Sequence, residues 1–428
     1  MTELHRHRLT PADQYRRLWR ASRPPDLKAF VAEHPTLSLD DLLDLVEIDR
    51  TERWRRSDRV KAERYLKDFP ALRADKEATF VVIYGEYFMR KDLGETPSLM
   101  DFIARFPTYA HRLRDQVHLH EALEHGHTPL GGPGPPDIPG LAVGDLLGRG
   151  GMSTVYQATD AETGAVVAVK VLDPGQLQNI LRVARFRREI ASLMRLKDAH
   201  IVTAYRTGDA RGLPYLVMEY CAAGPLSSFL RRNRLTPPVA ADVVWNLAKA
   251  VEYAHSEGVI HRDIKPANVL LSLTRADQLL PAAGSGEQPA LVAGAFPFIP
   301  KLSDFGLAKC LVGTEVGLTA TRETLGTPCY MAPELATGAR DADARTDVYG
   351  LGALLYELLT GRPPFVATSP MEVLRMVREE TPVPPTTLNP AVPVPLQAVC
   401  MRCLEKDPAA RYSTAGEVTT ALDWALGT

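Results

Sequence analysis

The chain has 428 residues, 45% of them hydrophobic and 24% charged, with a formal net charge of −2. That length exceeds what one hydrophobic core sustains and predicts two domains with a connector, and the composition is that of a soluble globular protein rather than a disordered or fibrous one. The balance recurs in the first 125 residues, where 22 basic residues meet 22 acidic ones, so neither part carries the electrostatic footprint of a nucleic-acid binder.

The opening residues MTELHRHRLT lack the apolar core of a secretion signal, and no run of about 18 apolar residues is present to span a bilayer. Five cysteines, an odd number, predict reduced thiols and a cytoplasmic protein. Residues 1–125 read as an α-helical domain. Leu39, Leu42, Leu43 and Val46 fall at helical spacing behind Ser38 and Asp41, which are placed as an N-cap and its N3 partner. Ser98 and Asp101 repeat that grammar ahead of Leu99, Phe102, Ile103 and Phe106. The segments AFVAEHP, RYLKDFP and DFIARFP, ending at Pro35, Pro70 and Pro107, each set an aromatic and an aliphatic residue before a proline stop. They predict a helical repeat, with coincidental helix ends in an ordinary bundle as the alternative. Arg53, Arg55, Arg56 and Arg59 alternate with Glu52 and Asp58 and read as a solvated helix face. His111, His118, His120, His125 and His127 straddle a helix end without accompanying cysteines, so no metal is expected there. The domain is read as regulatory or partner-binding, and residues 126–139, dominated by Gly and Pro, form a linker.

Beyond the linker, LLGRGGMSTVYQA places Gly148, Gly150 and Ser153 in a GxGxxS pattern between two strand-like runs. Glycines there let the backbone pass close over a polyphosphate. The next element, VVAVKVL, is a strand and not the helix that a dinucleotide-binding fold needs. Lys170 stands among Val167, Ala168, Val169 and Val171, where an ammonium must find an anion. A structural salt bridge is one reading; the Gly-rich loop favours a phosphate, with Glu189 in FRREIASLMRL to orient the lysine. Cys400 and Cys403 have CxxC spacing without a second pair and read as packing.

Further motifs follow in order: HRDIKPANVLL with His261, Arg262, Asp263, Lys265 and Asn268; KLSDFGLAK with Asp304, Phe305 and Gly306; GTPCYMAPE ending in Ala332, Pro333 and Glu334; TDVYGLG with Asp347; and DPAARYS with Arg411. Together they make residues 140–426 resemble the Hanks-type, eukaryotic-like bacterial serine/threonine protein kinases. The resemblance implies an α+β fold, a bilobal protein kinase fold with an N-lobe over 140–219 and a C-lobe over 220–426, preceded by the small all-α N-terminal domain. It implies ATP and Mg²⁺ as cofactors, proteins as substrates, and catalysis by positioning and charge stabilisation.

By resemblance, Leu147, Gly148, Arg149, Gly150, Gly151, Met152, Ser153, Thr154 and Val155 would cover the nucleotide, and Lys170, held by Glu189, would grip its phosphates. Adenine would lie between the lobes against Val155, Ala168 and Leu270, with backbone bonds from Glu219 and Cys221 and with Met218 controlling access behind the base. Asn268 and Asp304 would ligate Mg²⁺, Asp263 would accept the substrate hydroxyl proton, and Lys265 would neutralise the transferring phosphoryl group. Lys265 and Thr327 fit the serine/threonine pattern. Arg262 suggests a pocket for a phosphate on the activation segment, where Thr319, Thr321 and Thr324 are offered for autophosphorylation. Ser153 replaces the third glycine of the loop without loss of chemistry. Residues 272–300 read as a flexible surface insertion, which a fold tolerates at small entropic cost. Because retained motifs do not prove turnover, a pseudokinase scaffold that binds nucleotide or partners is the alternative reading.

Overall fold

The computed structural model of the chain describes residues 10–20, 24–35, 37–124, 135–150, 153–173, 176, 180–210, 213–273, 296–305, 328–336 and 343–427. It divides into two units, Met1–Ile190 with Thr207–Leu216, and Ala191–Arg206 with Val217–Thr428. Among the described residues no helix is long and apolar enough to cross a membrane.

The first unit begins with helices α1 (Pro11–Leu18), α2 (Leu27–Ala32), α3 (Leu39–Arg55), α4 (Ala62–Asp68), α5 (Pro70–Ala74), α6 (Lys76–Asp92), α7 (Leu99–Arg105) and α8 (Ala110–Glu124). Ser38 and Asp41 form the expected capping box at the start of α3, and Ser98 caps α7 through the Asp101 amide. Capping satisfies amides that the first turn leaves without partners. The Phe69–Pro70 and Phe106–Pro107 corners share one backbone shape, with φ/ψ of −125/88° and −133/64°. At both, the proline opens the next helical turn, where its missing N–H costs nothing. Pro35 opens no helix, so the first proline corner differs from the other two.

Tyr15, Leu45, Leu72, Phe80, Ile83, Phe102 and Leu113 are buried in a core confined to this bundle. Inside it Asp49 accepts from Tyr15 Oη (2.6 Å), Tyr65 Oη (2.7 Å) and Arg53 Nε (2.7 Å). Buried Glu86 accepts from the Ala62 amide (2.6 Å) and from both Nη atoms of Arg105 (2.9 Å each). Arg55, Arg56 and Arg59 are exposed as expected of a solvated face, whereas Arg53 is drawn in by Asp49. His120 is buried against Phe88, His118 is exposed, and His111 pairs with Asp115. No metal-competent cluster occurs among the described residues, and His125 and His127 lie outside them.

Next come β1 (Leu141–Arg149), β2 (Ser153–Asp160), β3 (Val166–Leu172), helix α9 (Ile180–Leu193), β4 (Ala204–Ala210) and β5 (Leu213–Glu219). The strands form one sheet in the order β1-β2-β3-β5-β4. Val183, Phe186 and Ile190 recur at helical spacing and are the buried stripe of α9.

The second unit is mostly helical: α10 (Leu226–Leu230), α11 (Pro237–Ser256), then the helices Pro333–Ala336, Ala344–Thr360, Pro370–Glu379, Pro385–Leu388, Val394–Cys403 and Ala415–Leu426. Strands β6 (Val269–Leu273) and β7 (Phe298–Leu302) form a hairpin in continuous register from Val269↔Leu302 to Leu273↔Phe298. These strands take in both ends of the stretch assigned to the insertion; its residues 274–295 lie outside the description. Cys400 and Cys403 are free and fully buried. Their helix passes so close to Ala344–Thr360 that a Cβ on Gly352 would collide with Cys403, so packing accounts for the CxxC spacing. The elements are mixed α+β with a helical region first, as expected from sequence.

Candidate active site

Within the second unit the candidate catalytic residues lie on the loop between α11 and β6. Asp263 Oδ2 accepts from Lys265 Nζ (2.6 Å) and from Asn268 Nδ2 (2.8 Å), and that same amide nitrogen also reaches the Asp263 carbonyl (2.8 Å). One carboxylate oxygen is therefore anchored twice, while no hydrogen bond described here engages Oδ1. The loop is braced from behind by His261, which is fully buried. Its Nδ1 accepts from the Asp263 amide (3.2 Å), which leaves Nε2 to donate to the Ser303 carbonyl (2.9 Å). The ring also lies against Phe305, with centroids 4.5 Å apart.

Two residues here adopt left-handed backbone without being glycine, Arg262 at φ 66° and Asp304 at φ 60°. Such geometry costs about 1–3 kcal/mol and persists only where surroundings over-determine it. At Arg262 the determinant is Asp347, 1% exposed, whose carboxylate accepts from the Arg262 amide (2.6 Å) and the His261 amide (2.8 Å). His255 Nε2 lies 2.8 Å from the same carboxylate. Asp347 appeared in a sequence motif, but nothing in sequence linked it to this backbone clamp or to His255. Asp304 follows β7 by two residues, and Ser303 donates from its amide (2.9 Å) and hydroxyl (3.1 Å) to the Asn268 carbonyl. The hairpin thus brings the chain segments of Asn268 and Asp304 together.

In the connector, Met218 and Cys221 are buried and the Glu219 carboxylate is engaged by Lys301 (3.0 Å) and the Thr203 amide (3.3 Å). Sequence reading missed Lys301, whose partner lies 82 positions earlier in the chain. The Glu219 amide is engaged as well, donating to the Thr203 carbonyl (2.8 Å). Burial, then the neighbouring Glu219 charge, pushes the Cys221 thiol up to about 12, which disfavours the reactive thiolate. Leu270 is half-buried on β6. Farther away, Arg411 donates all five of its N–H groups: to both Glu334 oxygens and to the carbonyls of Arg345, Glu405 and Lys406, at 2.8–3.1 Å.

In the first unit, β1 and β2 pair Gly148 with Val155 and Arg149 with Thr154, and the Gly150 amide bonds to the Ser153 carbonyl at 2.8 Å. A Cβ on Gly148 would meet nothing within 4 Å, and neither Gly148 nor Gly150 has positive φ. The fold itself therefore does not require glycine at Gly148. Thr154 Oγ1 donates to Asp173 (2.6 Å), and Leu147 is exposed. Lys170 is 4% exposed, lies opposite Val155 in the β2–β3 register, and neighbours buried Ala168. Glu189 lies on α9, its side chain outside the description, as are Gly151, Met152, Gly306 and the activation-segment residues Thr319, Thr321, Thr324 and Thr327.

Residues 141–422 match the family described as Protein kinase domain. The chain belongs to that family. Its kinase region is 37% identical over 285 residues to Serine/threonine-protein kinase PknB of Mycobacterium leprae, a match covering 65% of this chain and 42% of the relative. It is 34% identical over 288 residues to Probable serine/threonine-protein kinase PknB of Bifidobacterium longum, covering 65% and 38%. The chain thus spans about two fifths of the length of these curated relatives. A doubly substituted Mycobacterium tuberculosis PknI kinase domain aligns at TM-score 0.50 and 25% identity over 68% of this chain and 96% of that one. The kinship with Hanks-type bacterial serine/threonine kinases, read from the motifs, stands.

Proposed function

We propose that this kinase transfers the γ-phosphate of ATP to serine and threonine hydroxyls of proteins in an Mg²⁺-dependent reaction. The observation that supports it most directly is the Asp263 cluster. Lys265 and Asn268 fix one carboxylate oxygen and leave the other to take the proton of an incoming hydroxyl and to aim its oxygen. The ammonium of Lys265 would then neutralise charge that develops on the transferred group. Lys170 holds the phosphates from β3, and the open space over Gly148 suits close approach of a polyphosphate to the backbone.

Mg²⁺ prefers hard oxygen donors. Asp304 offers a carboxylate and Asn268, its amide nitrogen occupied by Asp263, retains an amide oxygen, so the donor set fits. When bound, the ion with its nucleotide supplies the transferable phosphoryl group and neutralises its charge. Threonines 319, 321 and 324 are the proposed autophosphorylation sites, with Arg262 to pair with the added phosphate. The free thiols of Cys221, Cys329, Cys400 and Cys403 favour a reducing, cytoplasmic setting. The N-terminal bundle is the regulatory or partner-binding part.

The test is incubation of the purified chain with γ-labelled MgATP and a mixed protein substrate. Label on serine and threonine is expected, falling by about 10²–10⁴ in Asp263→Asn. Nucleotide binding with no transfer under any condition would favour the scaffold reading. Phosphopeptide mapping of the activation segment decides the autophosphorylation sites.

A further inference from the structure

The connector from Val217 to Pro225 and the β6–β7 hairpin belong to the same compact unit. Backbone bonds lay one on the other. The Ala223 amide donates to the Leu271 carbonyl (3.2 Å) and the Leu271 amide to the Gly224 carbonyl (2.8 Å). Along β7, the Val202 amide donates to the Leu302 carbonyl (2.9 Å) and the Leu302 amide to the His200 carbonyl (2.8 Å). A further tie is made by side chains. On its Oε2 the Glu219 carboxylate meets Lys301 Nζ of β7 (3.0 Å) and accepts from the Thr203 amide (3.3 Å), and on Oε1 it accepts from Ser272 Oγ of β6 (3.4 Å). The Lys301 side chain is 10% exposed, and among the described residues Glu219 is the carboxylate it pairs with.

The strand period places these groups beside the residue assigned to the base. Opposed residues of an antiparallel ladder, and alternate residues of one strand, project to the same face. Leu270 is the register partner of Lys301, and Ser272 stands two positions beyond Leu270, so Leu270, Ser272 and Lys301 share one face of the hairpin. Leu270 is assigned to contact adenine, and Cys221, two positions past Glu219, to donate its amide to it. No hydrogen bond described here engages that amide. The chain through Cys221 is thus a short span between two anchors on the hairpin: the Leu271 backbone bonds at Ala223 and Gly224, and the Lys301 ammonium at Glu219. A buried ammonium must keep its anion, which holds the second anchor as firmly as the first.

We propose that Lys301 is a positioning residue for nucleotide recognition, setting through Glu219 where the Cys221 amide stands over Leu270 and thereby which purine edge the connector accepts. This rests on the kinase reading above. Adenine presents a ring acceptor beside an exocyclic amino group, whereas guanine presents a ring N–H beside a carbonyl at the same edge. A connector held by Lys301 donates to the adenine acceptor and meets the guanine ring N–H with a second donor. Released from Lys301, the span shifts and discriminates less.

The test is calorimetric binding of ATP and of GTP, each with Mg²⁺, to the full chain as wild type, as Lys301→Met and as the double variant Glu219→Gln, Lys301→Met, beside the urea midpoint of each. The single variant leaves a buried carboxylate without its cation; the double variant leaves no lone charge and recovers stability. Neither anchors the connector. Both are expected to lower the preference for ATP over GTP by about 2- to 10-fold, the worth of one hydrogen bond, while the midpoint falls in the single variant alone. A pair that only stabilises the fold predicts another pattern: the fraction of binding-competent chain drops for both nucleotides alike and the ratio of their dissociation constants holds. An unchanged ratio in the double variant, or equal binding of both nucleotides by wild type, would overturn the role of Lys301 and leave the kinase reading standing. Should Lys301→Met fail to fold, the double variant decides. A wild-type chain that binds neither nucleotide would overturn the kinase reading and this proposal with it.

Discussion

Arg411 provides the sharpest test of how the second unit is held together. Its side chain is fully buried and meets five acceptors with five donors, two of them the oxygens of Glu334. Burial acts to raise the Glu334 carboxyl, and the Arg411 hydrogen bonds and charge outweigh it, so the group titrates below its ordinary 4.5. Removing one member of a buried pair typically costs about 3–5 kcal/mol, a large share of the roughly 5–15 kcal/mol that holds a domain folded. Arg411→Met should incur that cost at pH 7. Arg411→Lys should recover little of it, since three donors cannot serve five acceptors in a fork.

The pH dependence separates the charge from the packing. In the wild-type protein the folded pKa lies below the unfolded one, so this stabilisation is present above about pH 4.5 and is lost as pH falls through the folded value. In Arg411→Met the buried carboxylate keeps the Thr346 hydroxyl but loses the Arg411 cation, and burial is expected to raise its folded pKa above the unfolded one. Its penalty is then greatest at neutral pH and is relieved as pH falls. The stability difference between wild type and variant should shrink between pH 7 and pH 4.5. Urea titrations at both values, with amide exchange of Ala344–Thr360 to localise the opening, measure it. A difference that stays constant, or grows toward acid, refutes the reasoning.

Asp347→Asn keeps one oxygen for two backbone amides, so one buried donor loses its partner at about 1–3 kcal/mol; transfer should fall while nucleotide affinity holds, as initial-rate kinetics beside calorimetry will show. Asp304→Ala is expected to disable transfer no less than Asp263→Ala, because metal placement and electrostatics matter at least as much as the proton acceptor; near-normal Mg²⁺-dependent activity without Asp304 would refute its assignment. Gly352→Ala drives a methyl into Cys403, and overpacking of this kind costs about 1–3 kcal/mol, readable as a lowered unfolding midpoint. Thiol labelling should leave Cys221 unmodified at pH 8, because its pKa is about 12.

The ordered family motifs made much of the kinase region legible, because their residues are near neighbours in the chain, as Asp263, Lys265 and Asn268 are, and these three are joined by hydrogen bonds. Capping grammar was legible for the same reason: Ser38 and Asp41 act on neighbours in the chain. What stayed hidden depends on long-range pairing. Asp49 reads as one more acid on a polar face until Tyr15, 34 residues earlier, closes on it, and that closure draws Arg53 out of solvent. Lys301 and His255 escaped attention because Glu219 and Asp347 lie far from them in sequence. The three proline corners looked alike, yet at two of them Phe–Pro starts a new turn and at Pro35 it does not, a distinction local spacing does not encode.

The β6–β7 hairpin works as an open port. Its register runs unbroken from Val269↔Leu302 at the base to Leu273↔Phe298 at the rim, and partners in such a ladder lie only about 5 Å apart. Asn268 and Asp304 flank the base, where the Ser303 amide ties the two strands' ends together. Five strand pairs therefore separate the Leu273–Phe298 rim from the end of the hairpin next to Asn268 and Asp304. That separation makes the rim a natural place to splice in an affinity handle or fluorescent reporter, with the register at the base expected to hold.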